Sequence, residues 1–433
     1  MERKIVKYFK KWKESKNRMP LLVYGARQVG KTFIVLEFGK TNYSNTVYFN
    51  FEGNAELDSI FSKDLNISRI INELSVITGE KIIKKETLIF FDEIQASEKA
   101  LTSLKYFYEN EPEYHIIAAG SLLGTAVNRK NFSFPVGKID MITMYSLDFE
   151  EYLWATENKV LSEMINEHYE KNEPLSKSLH EKALELYRTY LIVGGMPNVI
   201  NSYLEQKDFN FVKAMQNNIL NAYTADMAKY ATPAETVKCI AAFDSLTAQL
   251  AKENKKFQFA LIKSGARAKD YEISLNWLNS SGIVIKCNKV KDGLIPLKAF
   301  TDVTSFKIYF SDVGLYSAKA NLPVNMIISN NELLNYAKGN LAENYVAQQL
   351  TINIKDLFYW ESEGKAELDF LYQDNEGRIV PIETKSGENV KAKSLALFIK
   401  KYNIDFSIRI SARNFGFENN IKSVPLYAVF CIK

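Results

Sequence analysis

Residues 25–32 read Gly25-Ala26-Arg27-Gln28-Val29-Gly30-Lys31-Thr32, the G-x-x-x-x-G-K-T pattern of a phosphate-binding loop. An apolar run, Leu21–Tyr24, precedes it and a helical pattern follows, which is the context this motif needs. The glycines let backbone N–H groups curl around phosphates, and the helix N-terminus adds a favourable dipole. Lys31 is expected at the β- and γ-phosphate oxygens and Thr32 on Mg²⁺. A second run, Leu88–Phe91, ends in Asp92-Glu93. Acids at the C-terminal end of a buried strand stand where open α/β sheets place ligands. Asp92 is expected to hold the magnesium shell, and Glu93 to orient and deprotonate an attacking water. A third run, His115–Ala119, ends in Gly120-Ser121. Ser121 is either a water-positioning residue or a plain turn serine. The guanine motif Asn-Lys-x-Asp has one near match, Asn288–Asp292, which is one residue too long, so the expected nucleotide is ATP.

A second set of acids and lysines lies near the C-terminus. Ile379–Lys385 reads as a strand, and strand alternation puts Glu383 and Lys385 on one face. Residues 366–372 read as its hairpin partner and carry Asp369, with a turn at Asn375–Arg378. Upstream, a helical pattern over Gly339–Leu350 carries Glu343 at the edge of its apolar stripe. Paired hard carboxylates suit Mg²⁺. The plain alternative for Glu-x-Lys alone is an exposed cross-strand pair.

The elements that must position these residues follow from the apolar rhythm. From Pro20 to about Leu153, apolar runs at 21–24, 47–51, 88–91, 116–119 and 139–145 alternate with helical patterns. That argues for an α/β fold with a mostly parallel sheet and helices on both faces. Residues 154–180 are polar, and 181–232 look helical with a break at Gly194-Gly195-Met196-Pro197. In 233–300, helical patterns precede a strand at 283–290 and a turn at Asp292-Gly293. Tyr271, Leu275 and Leu278 share one helix face. Helices followed by a hairpin resemble a winged helix, which suggests either DNA contact or a packing module. The segment 301–433 reads as a further α/β module, with strands at 357–360, 367–372, 379–385, 406–410 and 426–431 and a helix at 391–402. The expected divisions are 1–153, 154–232, 233–300 and 301–433.

Taken together, Gly25–Thr32, Phe91–Glu93, Gly120–Leu122 and Ser146–Leu153 resemble a prokaryotic AAA-type ATPase family fused to a C-terminal domain of unknown function. Val193–Pro197, Phe310–Leu315 and Gly339–Asn344 continue the resemblance in the expected order over nearly the whole chain. One departure is Gly137-Lys138, where the family usually carries Gly-Arg. An arginine there would stabilise charge on a neighbouring subunit's γ-phosphate, and lysine is a poorer substitute. Arg129 is the nearest other candidate. The set Glu343, Asp369, Glu383 and Lys385 resembles the PD-(D/E)xK nuclease superfamily with its restriction-endonuclease-like fold. The resemblance implies that Asp369 and Glu383 hold a metal ion, with Glu343 in support. Lys385 would position or deprotonate the attacking water, and Lys391 and Lys393 would touch the phosphate backbone.

Composition narrows the classes. Net charge is +4 over 433 residues, so the whole molecule is no obvious polyanion binder. Cys239, Cys287 and Cys431 are far apart, which leaves no zinc spacing or disulfide framework. His115, His168 and His180 form no metal-ligand cluster in the sequence. No apolar run reaches the ~18 residues needed to span a membrane. The basic N-terminus has no apolar signal core. Its Ile5, Phe9 and Trp12 suit a packing helix better than a membrane-surface one. The expectation is a cytoplasmic Mg²⁺-dependent ATPase whose nucleotide state controls a nuclease-like domain, with DNA and further copies of the chain as partners. The alternative is an ATP-dependent switch whose nuclease-like domain only binds DNA or a protein. A small-molecule kinase is disfavoured by the Asp92-Glu93 pair.

Overall fold

The computed structural model describes residues 1–121, 137–230, 232–253, 255–329, 335–362, 366–388 and 393–433. Leu122, Arg129 and Lys391 lie outside the described residues. The chain forms two compact units. One comprises Arg3–Tyr145 with Ser280–Gly282. The other comprises Met1–Glu2, Ser146–Asn279 and Ile283–Lys433.

In the first unit, β1 (Leu21–Tyr24), β2 (Asn45–Asn50), β3 (Thr87–Asp92), β4 (His115–Gly120) and β5 (Asp140–Thr143) form one sheet in the order β2-β3-β4-β1-β5. Every neighbouring pair is parallel. Parallel strands covered on both faces need continuous apolar runs rather than alternation. β3 and β4 fit, being buried along their whole length. The helices Ala55–Lys63, Ile67–Thr78 and Glu98–Asn110 pack into one apolar cluster with β2, β3 and β4. Each starts at a side-chain cap, respectively Asn54, Asn66 and Ser97. The basic N-terminal helix Ile5–Glu14 buries Phe9 and Trp12, and the Phe9 ring lies 5.3 Å from that of Phe38. Its apolar stripe therefore serves packing. No helix among the described residues is long and apolar enough to cross a membrane.

The second unit holds an eight-stranded mixed sheet. Its strands are β6 (Val284–Val290), β7 (Thr301–Phe310), β8 (Phe358–Ser362), β9 (Ala366–Gln373), β10 (Ile379–Thr384), β11 (Ser407–Ser411), β12 (Gly416–Glu418) and β13 (Ile421–Pro425). The order is β12-β13-β11-β10-β9-β8-β6-β7. β9 and β10 form the expected hairpin, closed by Asp374, which accepts the Glu376 and Arg378 amides. Three expectations need revision. The boundary at 300 falls inside the β6–β7 hairpin, and β6 also pairs with β8, so the hairpin belongs to the C-terminal sheet. The boundary at 153 falls inside the helix Phe149–Ala155. Leu426–Cys431 is a 3-10 helix rather than a strand. All six of its residues are buried, and a short, fully buried apolar run has no period to tell strand from helix. Tyr271, Leu275 and Leu278 are buried residues of the helix Ala268–Ser280.

Three of the motifs meet the Ser146–Leu153 segment in one polar junction. Leu147 N–H donates to Gly195 O at 2.7 Å, and Gly195 N–H donates to the buried Asp312 Oδ2 at 2.7 Å. A Cβ on Gly194 would lie 2.9 Å from Gly314 N, so only glycine allows this approach. On the helix Asn335–Asn353, Gln349 Oε1 accepts the Phe149 amide at 2.8 Å. Gln348 Oε1 accepts the Val313 amide at 2.9 Å, and Asn344 bonds both backbone groups of Phe310. Side chains of these segments therefore satisfy buried backbone groups.

Candidate nucleotide site and C-terminal acid cluster

The loop 25–30 leaves the C-terminal end of β1 and enters the helix Lys31–Asn42. Gly25 has φ +150, and a Cβ there would lie 2.1 Å from Met144 O. Gly30 and Gln28 take left-handed backbone with φ 93 and 67. Arg3 donates to Val29 O at 3.0 Å and to Tyr145 O at 2.7 Å, tying the loop to the segment after β5. Ala26 and Val29 are buried, and Arg27 pairs with Glu52 at 3.8 Å. The Lys31 Nζ donates to Gly25 O at 2.9 Å and Ala26 O at 2.8 Å. Burial pulls its pKa down to about 8, against the opposing pull of Glu93 and Asp92.

β3 is two strands from β1 and delivers Asp92 to the same end of the sheet. Asp92 Oδ2 accepts Thr32 Oγ1–H at 2.7 Å and Tyr48 O–H at 3.1 Å. Asp92 Oδ1 accepts the Glu93 amide at 3.0 Å, and Glu93 turns off the strand at φ 49. Gln95 Nε2 donates to the Glu93 carboxylate. Ser121 follows β4, between β1 and β3, and its buried Oγ has no hydrogen-bond partner among the described residues. Thr32 and Asp92 bring hard oxygens together, a donor set that fits Mg²⁺. Lys138 precedes β5, at the opposite end of the sheet from the loop, and pairs with Glu109 at 3.3 Å. It is placed away from the phosphate site of its own chain.

The C-terminal acids also come together, with company the sequence reading lacked. Lys385 Nζ lies 2.6 Å from Glu383 Oε1, and the buried Glu383 Oε2 has no hydrogen-bond partner among the described residues. Asp369 Oδ2 accepts the Thr384 amide at 2.7 Å. Glu343 Oε1 accepts Tyr309 O–H at 2.6 Å and Lys307 Nζ at 3.1 Å, and Glu343 Oε2 pairs with Lys255. Lys307 also pairs with Glu367. Burial alone would raise the Glu343 carboxyl, but Lys255 and Lys307 outweigh it and hold it well below the usual range. Asp369 moves the other way, raised first by burial and then by Glu343 and Glu383. No group of three or more acid, His or Cys side chains poised to hold a metal ion is present among the described residues. Glu343, expected to support a metal ion, is thus occupied by lysines and a tyrosine.

Residues 17–153 match the family model described as an AAA domain. The N-terminal region is therefore similar to AAA domains. Residues 184–325 and 338–429 match two domains of unknown function, DUF8612 and DUF4143. No curated protein matches the chain. Among solved structures, a Walker-type ATPase of Pyrococcus abyssi is 16% identical with TM-score 0.44, covering 73% of this chain and 95% of its own. The Aeropyrum pernix ORC2 protein, solved as ADPNP–ADP complexes, is 12% identical with TM-score 0.35, covering 73% and 89%. AMPPCP-bound DnaA from Aquifex aeolicus is 15% identical with TM-score 0.28, covering 63% and 86%.

Within the AAA-type domain, the structure brings together Gly25–Thr32, Asp92, Glu93 and Ser121. Sequence reasoning missed Arg3 and Tyr48 there. Tyr48 left no signal in the sequence, since only the β2–β3 pairing brings it to Asp92. Near the C-terminus it missed Lys255, Lys307 and Tyr309. A lone lysine in the apolar run Phe306–Phe310 was the available sign, because a buried lysine needs an acid partner. Lys393 opens the helix Lys393–Tyr402.

Proposed function

We propose that the chain is an Mg²⁺-dependent ATPase whose nucleotide state controls how its C-terminal acid cluster engages DNA. The observation that carries the ATPase half is the convergence of Lys31, Thr32, Asp92 and Glu93 at one end of a parallel sheet. Lys31 exchanges two carbonyl partners for phosphate oxygens. Thr32 and Asp92 hold Mg²⁺, which neutralises charge on the β- and γ-phosphates when bound. Glu93 orients the water and takes its proton, with Gln95 and Ser121 as positioning groups. The test is phosphate release by the full chain and by Glu93→Gln. Turnover that survives this change unaltered would remove Glu93 from the mechanism. Lys138 is available only to a second copy, so turnover per chain should climb with protein concentration. A flat profile would argue for a monomer.

For the C-terminal half, Asp369 and Glu383 are the acids left for a metal ion, with Lys385 beside them. Cleavage of plasmid and linear DNA with Mg²⁺ or Mn²⁺, with and without ATP, tests nuclease action against Asp369→Ala. The lysine-saturated state of Glu343 favours the second reading, an ATP-dependent switch in which this module binds DNA without cutting. ATP-sensitive DNA binding without cleavage under any metal would select it.

A further inference from the structure

We infer that Lys307 is the built-in cation of the C-terminal acid cluster, holding Glu343 and Glu367 so that Asp369 and Glu383 alone are left for a divalent ion. The inference rests on reading Asp369 and Glu383 as cation ligands, and it does not depend on whether DNA is cut.

Lys307 is placed by its strand, not by chance of rotamer. It lies opposite Cys287 in the β6–β7 register, between the buried Phe306 and Ile308, and is fully buried itself. Acid partners offset the cost of burying an ammonium. Here Glu343 and Glu367 bracket it, and the Tyr359 ring lies 4.9 Å below. Tyr309, two residues along on the same face, donates to the same Glu343 oxygen. Lys255 takes the other oxygen. Both Glu343 oxygens are therefore engaged by donors.

Charge points the same way. Four carboxylates, Glu343, Glu367, Asp369 and Glu383, face three ammoniums, Lys255, Lys307 and Lys385. That leaves one surplus negative charge, where a tight divalent site gathers several unneutralised carboxylates. Burial opposes the charge on Lys307, yet Glu343, Glu367 and Asp369 outweigh it and keep the ammonium protonated. Among the described residues, the buried Glu383 Oε2 is an acceptor without a hydrogen-bond partner.

The experiment is Mn²⁺ titration of the full chain by electron paramagnetic resonance, in an Asp92→Asn background that disables the AAA-domain ion site. The background should hold Mn²⁺ that is lost on adding Asp369→Ala. Mn²⁺ that survives Asp369→Ala would overturn the underlying reading and the inference with it. With that loss established, adding Glu343→Gln should leave Mn²⁺ affinity within about twofold, because Glu343 is no ligand. Adding Lys307→Met should tighten it by about tenfold or more, because the released carboxylates can join the ion. A large loss of Mn²⁺ binding in Glu343→Gln would overturn the inference and leave the cation-site reading standing. Where Lys307→Met weakens folding, Mn²⁺ should raise its melting temperature more than it raises that of the background. An equal shift in both would also overturn it.

Discussion

Lys31 and Lys307 are both buried lysines beside acids, and they are held in opposite ways. Among the described residues Lys31 bonds only backbone carbonyls of its own loop, and burial lowers its pKa. Lys307 is clasped by carboxylates, and its pKa is raised well above the usual lysine value. A lysine on neutral carbonyls can turn to an incoming phosphate at small cost. A lysine paired with buried carboxylates is committed to the fold, because its departure strands their charge. On the function proposed above, the same residue types make a ligand site in one unit and a structural lock in the other.

The largest effect that would sharpen this contrast is on stability. Lys307→Met should cost about 3–5 kcal/mol, as expected when one member of a buried charged set is removed. Urea denaturation followed by tryptophan fluorescence would measure it, and a loss within experimental error would erase the contrast. Lys31→Ala should instead act on turnover, lowering phosphate release about a hundredfold or more with little change in folding. A variant that kept hydrolysing would show that the loop lysine is not the phosphate ligand.

Acid should also act on individual buried groups. His115 is buried at the start of β4, with Tyr43 on its Nδ1, and burial chiefly lowers its pKa to about 3. Between pH 6.5 and 3 the unfolded state then binds more protons than the folded one, so stability falls as pH falls. The loss should reach about 2 kcal/mol at pH 5. Asp369 has the opposite sign: its folded pKa is raised, so protonating that carboxyl favours the folded state. Thermal melts at pH 7 and pH 5 should show the loss in the parent and a flatter response in His115→Gln. Equal losses in both proteins would remove His115 as the cause. The smallest effect belongs to Tyr48→Phe. Removing one of two donors to Asp92 Oδ2 at a partly exposed position should cost about 1 kcal/mol, seen as a severalfold higher Mg²⁺ requirement for turnover. An unchanged Mg²⁺ curve would make Tyr48 a bystander.

The phosphate loop was readable because its chemistry is contiguous, and loop, glycines, lysine and threonine occupy eight consecutive residues. Asp92-Glu93 was readable because a continuous apolar strand announces where its end lies. Glu383 and Lys385 were readable because strand alternation is a local rule. The expected boundary at 300 divides the hairpin at 284–310 because strand pairing between segments leaves no mark in either one. Leu426–Cys431 was read as a strand because buried helices and buried strands share the same apolar composition.

What the sequence alone determined is therefore local: which residues turn, which run straight, and which acids and lysines stand at the ends of those elements. The tertiary structure decided what those charges do. Glu343 meets Lys255 from 88 residues away and Lys307 from 36. The state of a buried carboxylate depends on the few groups within reach through space. Packing chooses those neighbours, and chain order does not.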